Sequence, residues 1–244
     1  MNPLLEDIFQ TKRYVNSKNE VISVHSETSR GQCEFLQSII EKNNFKESLE
    51  IGFAYGMSTL AIVEEVAQRG GRHTVIDKFQ MEGWNGNGLD LIKKAGYGER
   101  LEFIGQYCYR ALPELLQANR SFDFAYIDST KQFDWLMVDF FYIDKLMKTG
   151  GIVVFDDVFF PGIRRLMRYI SRFPGYKVHS QYPKNIPSSR SRKAVQWLRS
   201  IPLAKKLFKA DILVSDYELG LNANCIALQK LDEDRRSWDW HVDF

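Results

Sequence analysis

The chain has 244 residues, 44% hydrophobic and 26% charged, ordinary values for one globular domain or a domain with an appendage. With 14% aromatic side chains it holds far too much apolar surface to stay unfolded in water. Lys plus Arg total 33 against 31 Asp plus Glu, a formal charge of +2, which gives no reason to expect a nucleic-acid partner. Cys33, Cys108 and Cys225 stand far apart with no CxxC or Cys/His cluster. That argues against a zinc site or disulfide framework and fits a reducing, cytoplasmic setting. The longest uncharged run, residues 51–63, has 13 residues. A membrane helix needs about 20, so no transmembrane segment is expected. The N-terminus, MNPLLEDIFQTKRY, lacks an apolar signal core.

In chain order, hydrophobic spacing predicts alternating strands and helices. Residues 28–43 read as a helix with Phe35, Leu36, Ile39 and Ile40 on one face. A short strand at 48–52 stops at Gly52. A helix over 57–69 then carries Leu60, Val63, Val66 and Ala67 until Gly70 and Gly71 end it. A strand at 73–76 precedes a loop with Gly83, Gly86 and Gly88, then a helix over 89–95, a strand at 101–104 and a helix over 111–118. The second half gives strands at 122–127, 151–155, 176–179 and 225–231, with helices over 132–147 and 163–171. The GIVVF run is apolar throughout, as suits a strand covered on both faces. This alternation predicts an α/β fold, a mostly parallel sheet with helices on both faces. Ligands of such sheets bind at the carboxyl ends of strands, near the switch in strand order.

One segment breaks the rhythm. Between residues 184 and 209 stand Lys184, Arg190, Arg192, Lys193, Arg199, Lys205, Lys206 and Lys209, with no acid among them. The near-neutral total therefore hides an acidic body and a basic appendage. The chain divides into an N-terminal extension (1–27), a main domain (28–183 with 221–244) and a basic insertion (184–220). The insertion reads as a solvated loop, a lid over an acceptor site, or a patch for an anionic partner. Trp238, Trp240 and Phe244 are expected to pack on the body or on a second subunit, which leaves a homo-oligomer open.

The first chemical motif is Glu50-Ile-Gly52-Phe-Ala-Tyr55-Gly56-Met-Ser58, a glycine turn between strand and helix. Glycines there let backbone approach a ligand closely, and the helix N-terminus offers free N–H groups. Asp77 ends the next strand, where an acid can bind both hydroxyls of a ribose. Glu50 would repel a pyrophosphate and suits a cationic ligand. Any tight turn uses glycine, so the spacing alone is a weak signal. With Glu50 before it and Asp77 after it, a nucleoside-type cofactor is expected. E-x-G-x-x-x-G followed by a strand-end Asp resembles the class I S-adenosylmethionine-dependent methyltransferases. The resemblance implies a Rossmann-like, doubly wound sheet of seven strands, the last antiparallel. It places the methionine part of the cofactor at the turn around Gly52, Tyr55, Gly56 and Ser58, supported by Glu50, with the ribose at Asp77. Gln106 and Tyr107 fall where the family lines the adenine, although many members carry an acid there.

Two further motifs, FDFAYIDSTK and GGIVVFDD, put Asp128, Asp156 and Asp157 at the carboxyl ends of two strands. Carboxylates that close repel unless a proton or cation intervenes, and an all-oxygen set suits a hard ion such as Mg²⁺. The Asp128-x-x-Lys131 and Asp156-Asp157 pattern resembles the metal-dependent catechol-type O-methyltransferases, with Asp157 where those enzymes have Asn. The Asp-Asp form resembles bacterial sugar and macrolide O-methyltransferases. IDSTKQF is also similar to a bacterial I-D-G-x-H-x-F/Y segment, with Lys131 in place of the His. The resemblance implies Asp128, Asp156 and Asp157 as metal ligands, Asp128 also touching the cofactor, and Lys131 as general base. It implies Mg²⁺-assisted O-methylation of a small-molecule acceptor.

Other readings stay open. Asp156 or Asp157 can cap the following helix, Asp128 can bind only the cofactor's ammonium, and Lys131 can be a solvated helix-start residue. His25, His73, His179 and His241 form no visible cluster, and Trp84 with Asn85 can line a substrate cleft or an ordinary loop. The rival functions are a nicotinamide oxidoreductase, which would want GxGxxG rather than GFAYG, a metal-independent N-methyltransferase, and a non-enzymatic module gripping an anionic partner through 184–209.

Overall fold

A computed structural model describes residues 1–25, 28–183, 197 and 214–242. Most of the basic insertion, and Phe244, therefore lie outside the described residues. The chain opens with helix α1 (Pro3–Thr11), whose N-cap Asn2 accepts the Leu4 N–H. A hairpin of β1 (Arg13–Val15) and β2 (Val21–Ser23) follows. Next come α2 (Arg30–Asn43), β3 (Glu47–Ile51), α3 (Met57–Gln68), β4 (Arg72–Ile76), α4 (Asn87–Lys94) and β5 (Leu101–Ile104). The second half runs α5 (Cys108–Gln117), β6 (Phe122–Ile127), α6 (Phe133–Leu146), β7 (Met147–Phe155), α7 (Pro161–Ile170), β8 (Tyr176–Tyr182) and β9 (Cys225–Lys230).

The main sheet has seven strands in the order β5-β4-β3-β6-β7-β9-β8. The first five are mutually parallel, and β9 runs antiparallel to both β7 and β8. The expected Rossmann-like sheet with an antiparallel last strand is therefore the fold. Alternation along the central strands divides the core. Val153, Phe155, Ile226 and Leu228 join the cluster under α5, α6 and α7. Ile152, Val154, Cys225 and Ala227 join the cluster under α2 and α3. Both faces being covered explains why GIVVF is apolar without interruption. From β3 the chain steps to β4 and β5 on one side and to β6 on the other, so the strand order switches between β3 and β6. A crevice opens there.

Residues 1–25, read from sequence as an extension, share the core. Leu5, Ile8, Tyr14 and Val24 are buried in one cluster with Phe53, Tyr55, Met57 and Leu60. The Tyr14 hydroxyl donates to the Asn87 carbonyl at 2.8 Å, which ties the hairpin to α4. At the other end Trp240 packs edge-on against Phe173 and Tyr169, as expected of an aromatic terminus. Trp238 does not pack on the body: it is 98% exposed in the single chain. Among the described residues no helix is long and apolar enough to cross a membrane.

Candidate active site

The switch point holds a cavity of about 520 Å³ lined by the glycine turn and by the FDFAYIDSTK motif, but not by GGIVVFDD. Ile51 ends β3 and Gly52 follows it, Asp77 directly follows β4, Gln106 and Tyr107 come from the loop after β5, and Asp128, Ser129 and Thr130 from the loop after β6. A smaller recess beside it is lined by Thr28, the turn from Gly52 to Ser58, and Asp128. Asp128 and Gly52 border both spaces.

Gly52 has φ +97°, and a Cβ there would stand 2.0 Å from the Asp128 carbonyl oxygen, so only glycine lets β3 and β6 approach this closely. Asp77 fixes the turn from the far side. Its Oδ2 accepts the N–H groups of Phe53 (3.0 Å) and Ala54 (3.3 Å), and its Oδ1 that of Phe79 (2.7 Å). It still borders the cavity, with about one acceptor site left. Glu50 sits beneath the turn, fully buried and outside the cavity lining. It accepts from Ser58 Oγ (2.6 Å), Thr59 Oγ1 (2.7 Å) and His73 Nε2 (2.9 Å), so it anchors the start of α3 from below. His73 is a core residue, its Nδ1 2.8 Å from Ser48 Oγ. Tyr55 borders the recess, bonds His25 Nε2 at 2.8 Å through its hydroxyl, and packs edge-on against Trp84. Trp84 lines the cavity; Asn85 turns away at φ +52° and borders a different hollow.

One wall of the cavity is aromatic. Tyr107 meets Phe79 and Trp135 edge-on and stacks on Tyr109. Such a wall suits a flat heterocycle. Inside it, the buried Ser129 hydroxyl has no partner among the described residues, so it is available to a polar ligand. The glycine cradle, the strand-end Asp77, the aromatic wall and this free hydroxyl fit S-adenosylmethionine.

The carboxylates behave differently from one another. Lys131 Nζ lies 2.8 Å from Asp128 Oδ1 and 2.8 Å from Asp157 Oδ2, bridging the ends of β6 and β7. Burial lowers the Lys131 pKa, but the two carboxylates outweigh it, and the net direction is upward. Asp157 takes a left-handed backbone, φ +55°, and its N–H donates to Asp156 Oδ1 at 2.8 Å. Asp156 is 6% exposed and saturated with donors. Gln32 Nε2 reaches both its oxygens at 2.9 Å, Tyr126 donates at 2.9 Å and Asn224 at 3.1 Å. Burial, then the nearby Asp128 charge, raises its carboxyl to about 6. Among the described residues no three His, Cys, Asp or Glu side chains converge as a metal cage. As arranged, the set expected to ligate Mg²⁺ does not fit a divalent ion.

Sequence reasoning did not single out Gln32, Asn224, Tyr126, Phe79, Ser129, Trp135 or His25. One signal was readable: Ser29-x-x-Gln32 is a capping box, and the structure forms it. The same Gln32 amide holds Asp156, so the start of α2 is tied to the end of β7.

The sheet order, the glycine turn after the first parallel strand and the acid after the second, together with the family match, make this a class I S-adenosylmethionine-type methyltransferase. A family model described as O-methyltransferase matches residues 5–165, and the chain belongs to that family. Tapetum-specific methyltransferase 1 of Arabidopsis thaliana is 31% identical over 147 residues, 58% of this chain and 58% of its own length. A caffeoyl-CoA O-methyltransferase of Populus kitakamiensis is 31% identical over 136 residues, 53% of this chain and 54% of its own. The chain thus matches a little over half the length of these relatives. In fold it is similar to an O-methyltransferase from Bacillus cereus solved with SAH, TM-score 0.60 at 24% identity, covering 73% of this chain and 83% of that one.

Proposed function

We propose that this chain transfers a methyl group from S-adenosylmethionine to an oxygen of a small-molecule acceptor. The observation that carries this is the place of Asp128. It stands where the nucleoside-sized cavity meets the small recess, and Lys131, outside both linings, pairs with it at 2.8 Å. That junction is where a methyl carried between a nucleoside and an amino-acid part would be presented. Relatives named for caffeoyl-CoA support a hydroxyl acceptor.

When bound, the cofactor supplies a methyl already activated by its sulfonium, so the protein's main task is positioning. Asp77 holds the ribose hydroxyls, the recess lined by the turn from Gly52 to Ser58 takes the methionine part, and the aromatic wall covers the base. The acceptor oxygen bonds to the methyl as the carbon–sulfur bond breaks, and that bond's electron pair stays on sulfur. The acceptor hydroxyl also loses a proton. The resemblance gives this proton to Lys131, which would need a neutral amine. Its two carboxylate partners favour the ammonium instead. The ammonium beside Asp128 therefore orients and stabilises an acceptor oxygen presented at that carboxylate, and the proton passes to water. On this reading the Mg²⁺ ion implied by the resemblance is not needed, since Asp156 is already held by Gln32, Tyr126 and Asn224.

Calorimetry with S-adenosylhomocysteine, followed by labelled-methyl transfer to a panel of phenols, sugars and carboxylic acids, tests the reading. Binding lost in Asp77→Ala and label appearing on an acceptor oxygen are expected. Absence of S-adenosylhomocysteine binding overturns it, and label on nitrogen alone replaces it with the N-methyltransferase reading.

A further inference from the structure

We infer that the ammonium of Lys131 is the resident cation of this centre, standing between Asp128 and Asp157 in the position a divalent metal would need. The inference rests on the methyl-transfer reading only for its consequence, that the reaction proceeds without Mg²⁺. The placement of the ammonium itself is independent of any acceptor.

Several features of the chain converge on it. The two ion-pair distances are equal, 2.8 Å to each carboxylate, so one ammonium neutralises both strand ends at once. A divalent ion brought to the same oxygens would face that ammonium at close range and be repelled. Mg²⁺ also demands near-octahedral oxygen ligation at about 2.0–2.1 Å. Its third carboxylate would be Asp156, whose oxygens already receive Gln32, Tyr126, Asn224 and the Asp157 N–H.

The lysine is also held from both ends. Its backbone is clamped by α7: a Cβ on Gly162 would stand 2.4 Å from the Lys131 carbonyl oxygen, so glycine alone permits this approach. Asp157 is bent into the left-handed region, a conformation that non-glycine residues adopt at a cost, and there its side chain meets Nζ. A lysine awaiting displacement by a metal would not need this support. Asn224 Nδ2 lies 3.3 Å from Asp157 Oδ1, so the carboxylate oxygen not facing Lys131 has a donor too.

The test uses the full chain, saturated with S-adenosylhomocysteine, and Mn²⁺ as the probe, read by the loss of the free-ion electron paramagnetic resonance signal. The wild-type chain should leave the Mn²⁺ signal unchanged through the millimolar range. Lys131→Met removes the ammonium from between two carboxylates and should bind Mn²⁺ about tenfold tighter or more, and Lys131→Met with Asp157→Asn should lose that gain. Lys131→Arg keeps the charge and should stay metal-free, which guards against a Met variant that fails to fold. S-adenosylhomocysteine binding reports folding in every arm. Tight Mn²⁺ binding by the wild type, abolished in Asp128→Asn, overturns the inference. So does a folded Lys131→Met that binds no better than wild type. Either result leaves the methyl-transfer reading standing, since that reading falls only with loss of cofactor binding or of label transfer.

Discussion

Gly52→Ala bears directly on how the cofactor turn is shaped. A Cβ on Gly52 would stand 2.0 Å from the Asp128 carbonyl oxygen and 2.9 Å from its carbonyl carbon. Carbon and oxygen settle no closer than about 3.3 Å, so the ends of β3 and β6 must part by about 1.3 Å or the turn must unwind. Such overpacking costs about 1–3 kcal/mol. The φ of +97° adds about 1–2 kcal/mol for a residue with a side chain. The variant should therefore lose about 2–5 kcal/mol of stability in urea denaturation. The same movement displaces Asp128, and with it Lys131, so S-adenosylhomocysteine affinity by calorimetry should fall about tenfold or more. Gly70→Ala is the control. Gly70 also has positive φ, +72°, but nothing lies within 4 Å of its Cβ. It should lose only the conformational part, about 1–2 kcal/mol, and bind the cofactor product normally. Equal losses in the two variants, with unchanged affinity, would refute the argument from close approach.

Asp139 on α6 is fully buried, its oxygens lack a hydrogen bond of good geometry, and burial raises its carboxyl to about 6, with the Cys108 thiol beside it pulling the other way. A carboxyl raised in the fold stabilises most below its unfolded value of about 3.9, and that stability is lost as pH rises through about 6. Asp139→Asn should accordingly gain up to about 3 kcal/mol at pH 8 and nothing at pH 4; urea midpoints that shift equally at both pH values would count against it. Glu50→Ala strips the acceptor from Ser58, Thr59 and His73 and should cost about 3–5 kcal/mol, read in the same assay. Leu5→Ala should cost about 2–5 kcal/mol, because Leu5 is wholly buried against the main core. A loss under 1 kcal/mol there would mean that the first helix is only loosely attached.

Much of the fold was legible because the strands are short, fully covered and punctuated. β5 and β6 carry the expected limits, 101–104 and 122–127, each flanked by charge or glycine. α5 begins three residues before the expected start, since Cys108, Tyr109 and Arg110 add no apolar period. β8 runs on to Tyr182 because an edge strand tolerates polar Ser180 and Gln181. The first hairpin escaped notice: three-residue strands are too short to show alternation, although the Asn16 side chain, which accepts the N–H groups of Lys18 and Glu20, makes its turn. At the site, the acids at strand ends could be read directly. What each acid does could not. Glu50 and Asp156 were both expected at a ligand, yet each is consumed by donors from distant segments, His73 for one and Gln32 and Asn224 for the other. The pairing of Lys131 with Asp157 depends on a left-handed backbone at a non-glycine residue, which no spacing rule anticipates.

The place of β9 sets the order in which this sheet can be completed. β7 is bordered by β6 on one side, but its other neighbour is β9, which follows β8 in the chain, and among the described residues β8 itself pairs only with β9. As the polypeptide leaves the ribosome, β7 therefore presents an unpaired row of backbone groups beside Val153 and Phe155 until Cys225–Lys230 has been made. An open apolar edge of this kind invites pairing with other nascent chains. Weakening β9 should thus show first as insoluble product during expression, before any loss of stability in protein that has already folded.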